Sequence, residues 1–73
     1  MLEYELKRIA NNLKRVRCKK HFKFETIYKN TGITEERLRK IETRKASVTY
    51  KELYALSRFY EVAIDDLVFK DLK

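Results

Sequence analysis

The sequence contains no proline and a single glycine, Gly32, so the two residue types that most readily interrupt helices are nearly missing. Long helical runs with one special turn, at Gly32, are expected. Cysteine is equally scarce. Cys18 stands alone, which excludes an internal disulfide and a cysteine metal cluster and suits a reducing cytoplasm. His21 has no second histidine, and with Cys18 it offers two ligands where structural zinc takes four, so it reads as filler and no cofactor is expected. No apolar stretch reaches the ~18 residues of a membrane span, and charged groups alternate with apolar ones from Glu3 to Arg8. A soluble, untargeted, cytoplasmic protein is expected.

What is present suits one small globular unit. The chain has 73 residues, enough for a single domain spanning 1–73, and so small a core leaves little stability to spare. Hydrophobic residues make up 44%, including five tyrosines and four phenylalanines, which can fill a core despite 40% charged residues. The 18 Lys and Arg against 11 Asp and Glu give a net charge of +7 and a pI near 9.7, which favours a polyanionic partner. The excess is uneven: residues 1–22 hold seven basic and two acidic groups, 23–48 seven and four, and 49–73 four and five. The positive field belongs to the first two-thirds.

The apolar pattern is helical throughout. Leu2, Leu6, Ile9, Leu13 and Val16 recur at spacings of four and three, predicting a first helix to about Lys20. A second is predicted from about Phe24 to Thr31, with Phe24, Ile27 and Tyr28 inward, ended by Gly32 in the left-handed conformation and followed by Ile33 as a buried plug. Thr34 can cap a third helix whose first turn is acidic and whose Leu38 and Ile41 face the core. Arg44 to Val48 reads as a connection, and Ser47 or Thr49 can cap a fourth helix over about Thr49 to Tyr60. Its inward stripe is Leu53, Leu56 and Tyr60, and Tyr50, Tyr54 and Phe59 widen the apolar face enough to meet a partner. Asp65 and Asp66 open a short last helix carrying Leu67 and Val68, and Phe69 and Leu72 continue the apolar character. The fold class is all-α.

Helix, Gly32-Ile33-Thr34 turn, helix is the layout of a DNA-reading helix-turn-helix, whose second helix enters the major groove. Ile9, Leu13, Val16 and Arg17 in the first helix, Phe22, Ile27 and the Gly32-Ile33-Thr34 turn, Leu38, Ile41 and Glu42 in the third helix, and Leu53, Leu56, Val62, Asp65 and Leu67 beyond it make a single pattern. From Ile9 to Val68 the chain resembles the Cro and lambda-repressor helix-turn-helix family. The resemblance implies a compact five-helix bundle in which Arg17 pairs with Glu42. It also places Thr34, Glu35, Glu36, Arg37, Arg39 and Lys40 on the groove-facing side, as candidates for base readout. Lysine and arginine can donate to guanine O6 and N7, and glutamate can accept from cytosine N4, so a site containing G·C pairs is expected. Lys23, Thr43, Arg44, Lys45 and Ser47 flank that surface as candidate phosphate contacts, with Lys14 and Lys20 adding long-range attraction.

The chain departs from the family at four places. Lys23 and Phe24 stand where a small polar residue and a glutamine are common, removing one phosphate clamp. Tyr28 takes a usual alanine position, so the two motif helices must part slightly or its ring must turn aside, and Arg44 takes a frequent glycine. Glu35 and Glu36 would be repelled by phosphates unless each meets a donor, and they read equally well as helix-capping charges. No serine, cysteine or carboxylate pair has an identifiable base partner, and a small bundle leaves little room for a substrate, which argues against an enzyme. The resemblance implies a transcription regulator, a phage or mobile-element repressor, that binds a palindromic operator in double-stranded DNA as a homodimer through Val62, Ala63, Phe69 and Leu72. The alternative is a protein-interaction module of the same fold that binds another regulator, such as a repressor, antirepressor or toxin.

Overall fold

The computed structural model describes residues 3–72, and these form α1 (Glu3–Lys19), α2 (Phe24–Thr31), α3 (Glu35–Glu42), α4 (Tyr50–Tyr60) and α5 (Ile64–Phe69), with no strand among the described residues. Leu2, assigned to the inward face of the first helix, lies outside them. None of these helices is long and apolar enough to cross a membrane.

One apolar cluster holds the helices together. Ile9, Leu13 and Val16 of α1, Ile27 of α2, Leu38 and Ile41 of α3, Leu53, Leu56 and Tyr60 of α4 and Leu67 of α5 are all buried, with Ile33 and Val48 sealing the gaps between helices. Helix α1 packs on α5 and α3, α2 on α3 and α4, and α4 on α5, in a body of 29 × 22 × 19 Å. Burial pushes the Tyr60 phenol well above its usual range, so it stays neutral in the core.

The second helix departs from its predicted face. Ile27 is fully buried and Phe24 half-buried, but Tyr28 is exposed, so its ring has turned aside into solvent. Tyr50 and Tyr54 are likewise exposed, whereas Phe59 packs tilted on Phe22 with ring centroids 4.7 Å apart.

Gly32 is not the only helix stop. Its φ of 79° places it in the left-handed region, and its N–H donates to the Tyr28 carbonyl. His21, Arg44 and Glu61 also take positive φ, each just past a helix, although none is glycine. In all three the next N–H reaches back five residues: Phe22 to Arg17, Lys45 to Lys40 and Val62 to Ser57. This is the Schellman arrangement, and its paired hydrogen bonds satisfy the last helix carbonyls while tolerating a side chain that glycine would avoid. Phe22 and Val62 then turn into the core, which helps to hold two of the three stops.

Asn12 fixes the far end of the chain. Buried at 2% exposure, it donates to the carbonyls of Leu67 and Lys70 at 2.8 and 2.6 Å and accepts the Leu72 N–H at 3.0 Å. It thereby satisfies carbonyls at the end of α5, a helix with no basic residue in its last turn.

Candidate nucleic-acid interface

The turn between α2 and α3 is built for rigidity. Gly32 reverses the chain, Ile33 is buried, and the Thr34 hydroxyl accepts from the Arg37 N–H at 3.2 Å to cap α3. With Leu38 and Ile41 inward, helical periodicity turns Glu35, Glu36, Arg39 and Lys40 outward, and all four are exposed.

Those four residues form two exposed pairs one helical turn apart. Lys40 lies 3.3 Å from Glu36, and Arg39 lies 3.9 Å from Glu35. Each carboxylate therefore has a cation near it on its own helix, which offsets the repulsion expected of an isolated acidic pair. Exposed pairs of this kind contribute only ~0.3–0.5 kcal/mol, so either cation can leave its carboxylate for a stronger acceptor.

Arg37 does not belong with them. Its guanidinium turns towards α4, meeting Glu52 at 2.7 and 2.9 Å and donating to the Ser47 carbonyl at 2.7 Å. Three short hydrogen bonds to protein acceptors make it a brace between α3, the 43–49 connection and α4. Glu52 also accepts from the Thr49 N–H while the Thr49 hydroxyl accepts from the Glu52 N–H, a complete capping box that makes Thr49, not Ser47, the cap of α4.

The predicted pair of Arg17 and Glu42 is a two-point contact, with Nε to Oε2 at 2.7 Å and Nη2 to Oε1 at 3.0 Å. It joins the end of α1 to the end of α3 and is largely shielded, with 19% and 7% of the two side chains exposed. The hydrogen bonds to Glu42 raise the Arg17 pKa further, so its guanidinium stays charged.

Phe24, at the start of α2, carries two guanidinium groups. Arg17 lies 4.4 Å and Arg39 5.4 Å from its ring centroid. The residue that replaces a phosphate-binding glutamine thus forms a shelf beneath a readout candidate. Lys23 precedes it, exposed and with no side-chain cap bond to α2.

The remaining flanking residues follow α3 directly. The Thr43 hydroxyl donates to the Arg39 carbonyl at 2.7 Å, and the Lys45 and Ala46 N–H groups both reach the Lys40 carbonyl. Lys23, Arg44 and Lys45 are exposed, and none takes part in an ion pair among the described residues. Ser47 is exposed too, but its carbonyl is held by Arg37. Cations without ion-pair partners before α2 and after α3 flank the outward strip, and such cations can neutralise phosphates beside a groove.

A comparison with protein-family models matches the Cro/C1-type HTH DNA-binding domain over residues 12–68. The chain belongs to this family. The match runs from Asn12 in α1 to Val68 in α5 and so takes in the turn, α3 and the connection after it. No curated protein and no solved structure matches the chain in the corresponding comparisons. Membership of the Cro/C1-type family makes the protein a DNA-binding regulator, in a family typically without enzymatic activity.

Sequence reasoning missed the brace from Arg37 to Glu52 and the part played by Asn12. The first left a signal: Thr49 and Glu52 stand at capping-box spacing, which points Glu52 back towards the connection that Arg37 reaches. The second left none, because Asn12 meets its partners across 55 to 60 residues of chain.

Proposed function

We propose that this protein regulates transcription by laying α3 in the major groove of a specific operator, with Thr34, Glu35, Glu36, Arg39 and Lys40 facing the bases. The observation that carries the reading is the outward strip of α3, on which two movable cations and two carboxylates stand in register over a buried Leu38 and Ile41. Arg39 and Lys40 donate to guanine, and the carboxylates they release accept from cytosine N4. Lys23, Thr43, Arg44, Lys45 and Ser47 hold the phosphates, through cations, hydroxyls and backbone N–H groups.

A dimer on a roughly palindromic site suits the dimensions. The longest extent is 29 Å, less than the ~34 Å between half-sites one turn apart, so one copy reads one half-site. Phe69, 70% exposed, and Ala63 offer surface for the second copy, while Val62 and Leu72 are partly drawn into the core.

Selection from a randomised duplex pool tests the reading. It predicts enrichment of one G·C-containing motif arranged as an inverted repeat. Recovery of unenriched sequence after repeated rounds would contradict it.

A further inference from the structure

A second basic surface lies outside the DNA-facing side. Arg15, Lys19 and Lys20 at the end of α1 rim a groove of about 580 Å³ whose floor is Val16, Val62 and Leu72. No residue of α2, α3 or the 43–49 connection lines it, and no acidic residue does either. All three cations are exposed, and none has an ion-pair partner among the described residues. The contrast is with α3, where Arg37, Arg39 and Lys40 each face a carboxylate.

We propose that this groove docks an acidic amphipathic peptide segment of a partner protein, with apolar side chains on Val16, Val62 and Leu72 and carboxylates on Arg15 and Lys19. The charge complementarity is specific in form: an apolar floor edged by cations along the end of α1 selects a ligand with an apolar face and an anionic edge. Duplex DNA supplies the charge, but its phosphates lie outermost and its few apolar groups, such as the thymine methyl, are recessed in the groove, so it matches the floor poorly. The groove is open to solvent and would leave much of a free small molecule exposed, whereas small ligands are held with ~70–90% of their surface buried. Side chains projecting from a larger partner need no such enclosure. Arg15 and Lys19 stand one helical turn apart on α1, so carboxylates spaced one turn apart on a helical peptide reach both. Because the groove shares no residue with α3, the domain can hold peptide and DNA together.

The test is fluorescence anisotropy with a labelled amphipathic peptide carrying leucines at helical spacing and glutamates beside them, against a control with lysines for the glutamates. The acidic peptide binds the wild-type chain, with amide shifts centred on Val16, Val62 and Leu72, and the lysine control does not. The double variant Arg15→Glu, Lys19→Glu weakens binding at least about tenfold, a change of ~1.4 kcal/mol, with its circular dichroism unchanged. If that variant loses helix, Arg15→Gln with Lys19→Gln replaces it, with a loss again expected. A random duplex added to the complex leaves the peptide in place. The proposal is overturned if no peptide binds, if the lysine control binds equally, or if the charge variants bind normally. Displacement by the duplex, together with weakened duplex binding in the variants, overturns it in favour of a wider nucleic-acid surface.

Discussion

Arg37 of α3 and Glu52 of α4 are locked in a two-point ion pair, with Nε to Oε2 at 2.7 Å and Nη2 to Oε1 at 2.9 Å. Through Ser47 and Thr49 the same two side chains hold both ends of the last stretch of the connection that carries the flanking cations. The path of residues 47–49 from the flanking loop into α4 therefore depends on a contact between two side chains, whereas Arg44 and Lys45 are held to α3 by their own backbone N–H groups.

This brace should make stability depend on pH through Glu52. Hydrogen bonds from Arg37, then from the Thr49 N–H, hold the Glu52 carboxyl below its usual range against the opposing effect of burial. A depressed folded-state pKa contributes stability that is present above the unfolded value of ~4.3 and is lost as pH falls through the folded value. Urea unfolding between about pH 6 and pH 3 should show a steeper acid loss for the wild type than for Glu52→Gln, whose curve is flatter because that group no longer titrates. Parallel curves would count against the brace.

The pair of Arg17 and Glu42 predicts a larger effect. Removing either partner leaves a shielded charge uncompensated, so Arg17→Ala or Glu42→Ala should each cost roughly 2–4 kcal/mol in urea denaturation. The double variant should cost less than the sum of the two, because the second substitution removes the orphaned charge. Strict additivity would mean that the two residues act separately.

Arg44 separates stability from binding. Its φ of 64° is a conformation that glycine adopts freely and other residues at a cost of ~1–2 kcal/mol. Arg44→Gly should raise the denaturation midpoint, by up to about 1 kcal/mol of stability, and lower DNA affinity by losing a cation. Arg44→Ala keeps the strained backbone and should bind as weakly with no gain in stability. If both variants bind DNA as the wild type does, Arg44 faces no phosphate.

Phe24 should act on Arg39 from below. Phe24→Leu keeps an apolar side chain but removes the ring face, worth ~0.5–1 kcal/mol to a cation at an exposed site. Selected duplexes should bind about two- to five-fold more weakly, with little change in random-duplex binding. Equal weakening on both would show that the ring merely supports the fold.

The sequence made the helices legible because burial follows period: Leu38 and Ile41, or Leu53, Leu56 and Tyr60, can share one face only in a helix. The pairing of Arg17 with Glu42 came from family resemblance, since nothing local connects residues 25 apart. Three of the four left-handed stops were hidden, because His21, Arg44 and Glu61 have no compositional mark of a turn and are held by hydrogen bonds that exist only once the chain folds back. Period places Tyr28 inward but assigns only a helix face, not the rotamer that carries its ring off the edge into solvent. The contact of Arg37 with Glu52 leaves no mark in its own helix, because only the packing of α4 on the motif brings Glu52 within reach.

The most direct test of the central claim, that α3 reads DNA through Arg39 and Lys40, is an anisotropy titration of wild type and the Arg39→Ala, Lys40→Ala double variant on selected and random duplexes at two salt concentrations. The account predicts that the wild type prefers the selected duplex and loses affinity steeply with salt, with a log–log slope of about −0.9 per phosphate contact. The double variant, folded as before, should bind both duplexes alike and weakly. A wild type without preference for any duplex, or a double variant that keeps full selectivity, would contradict it.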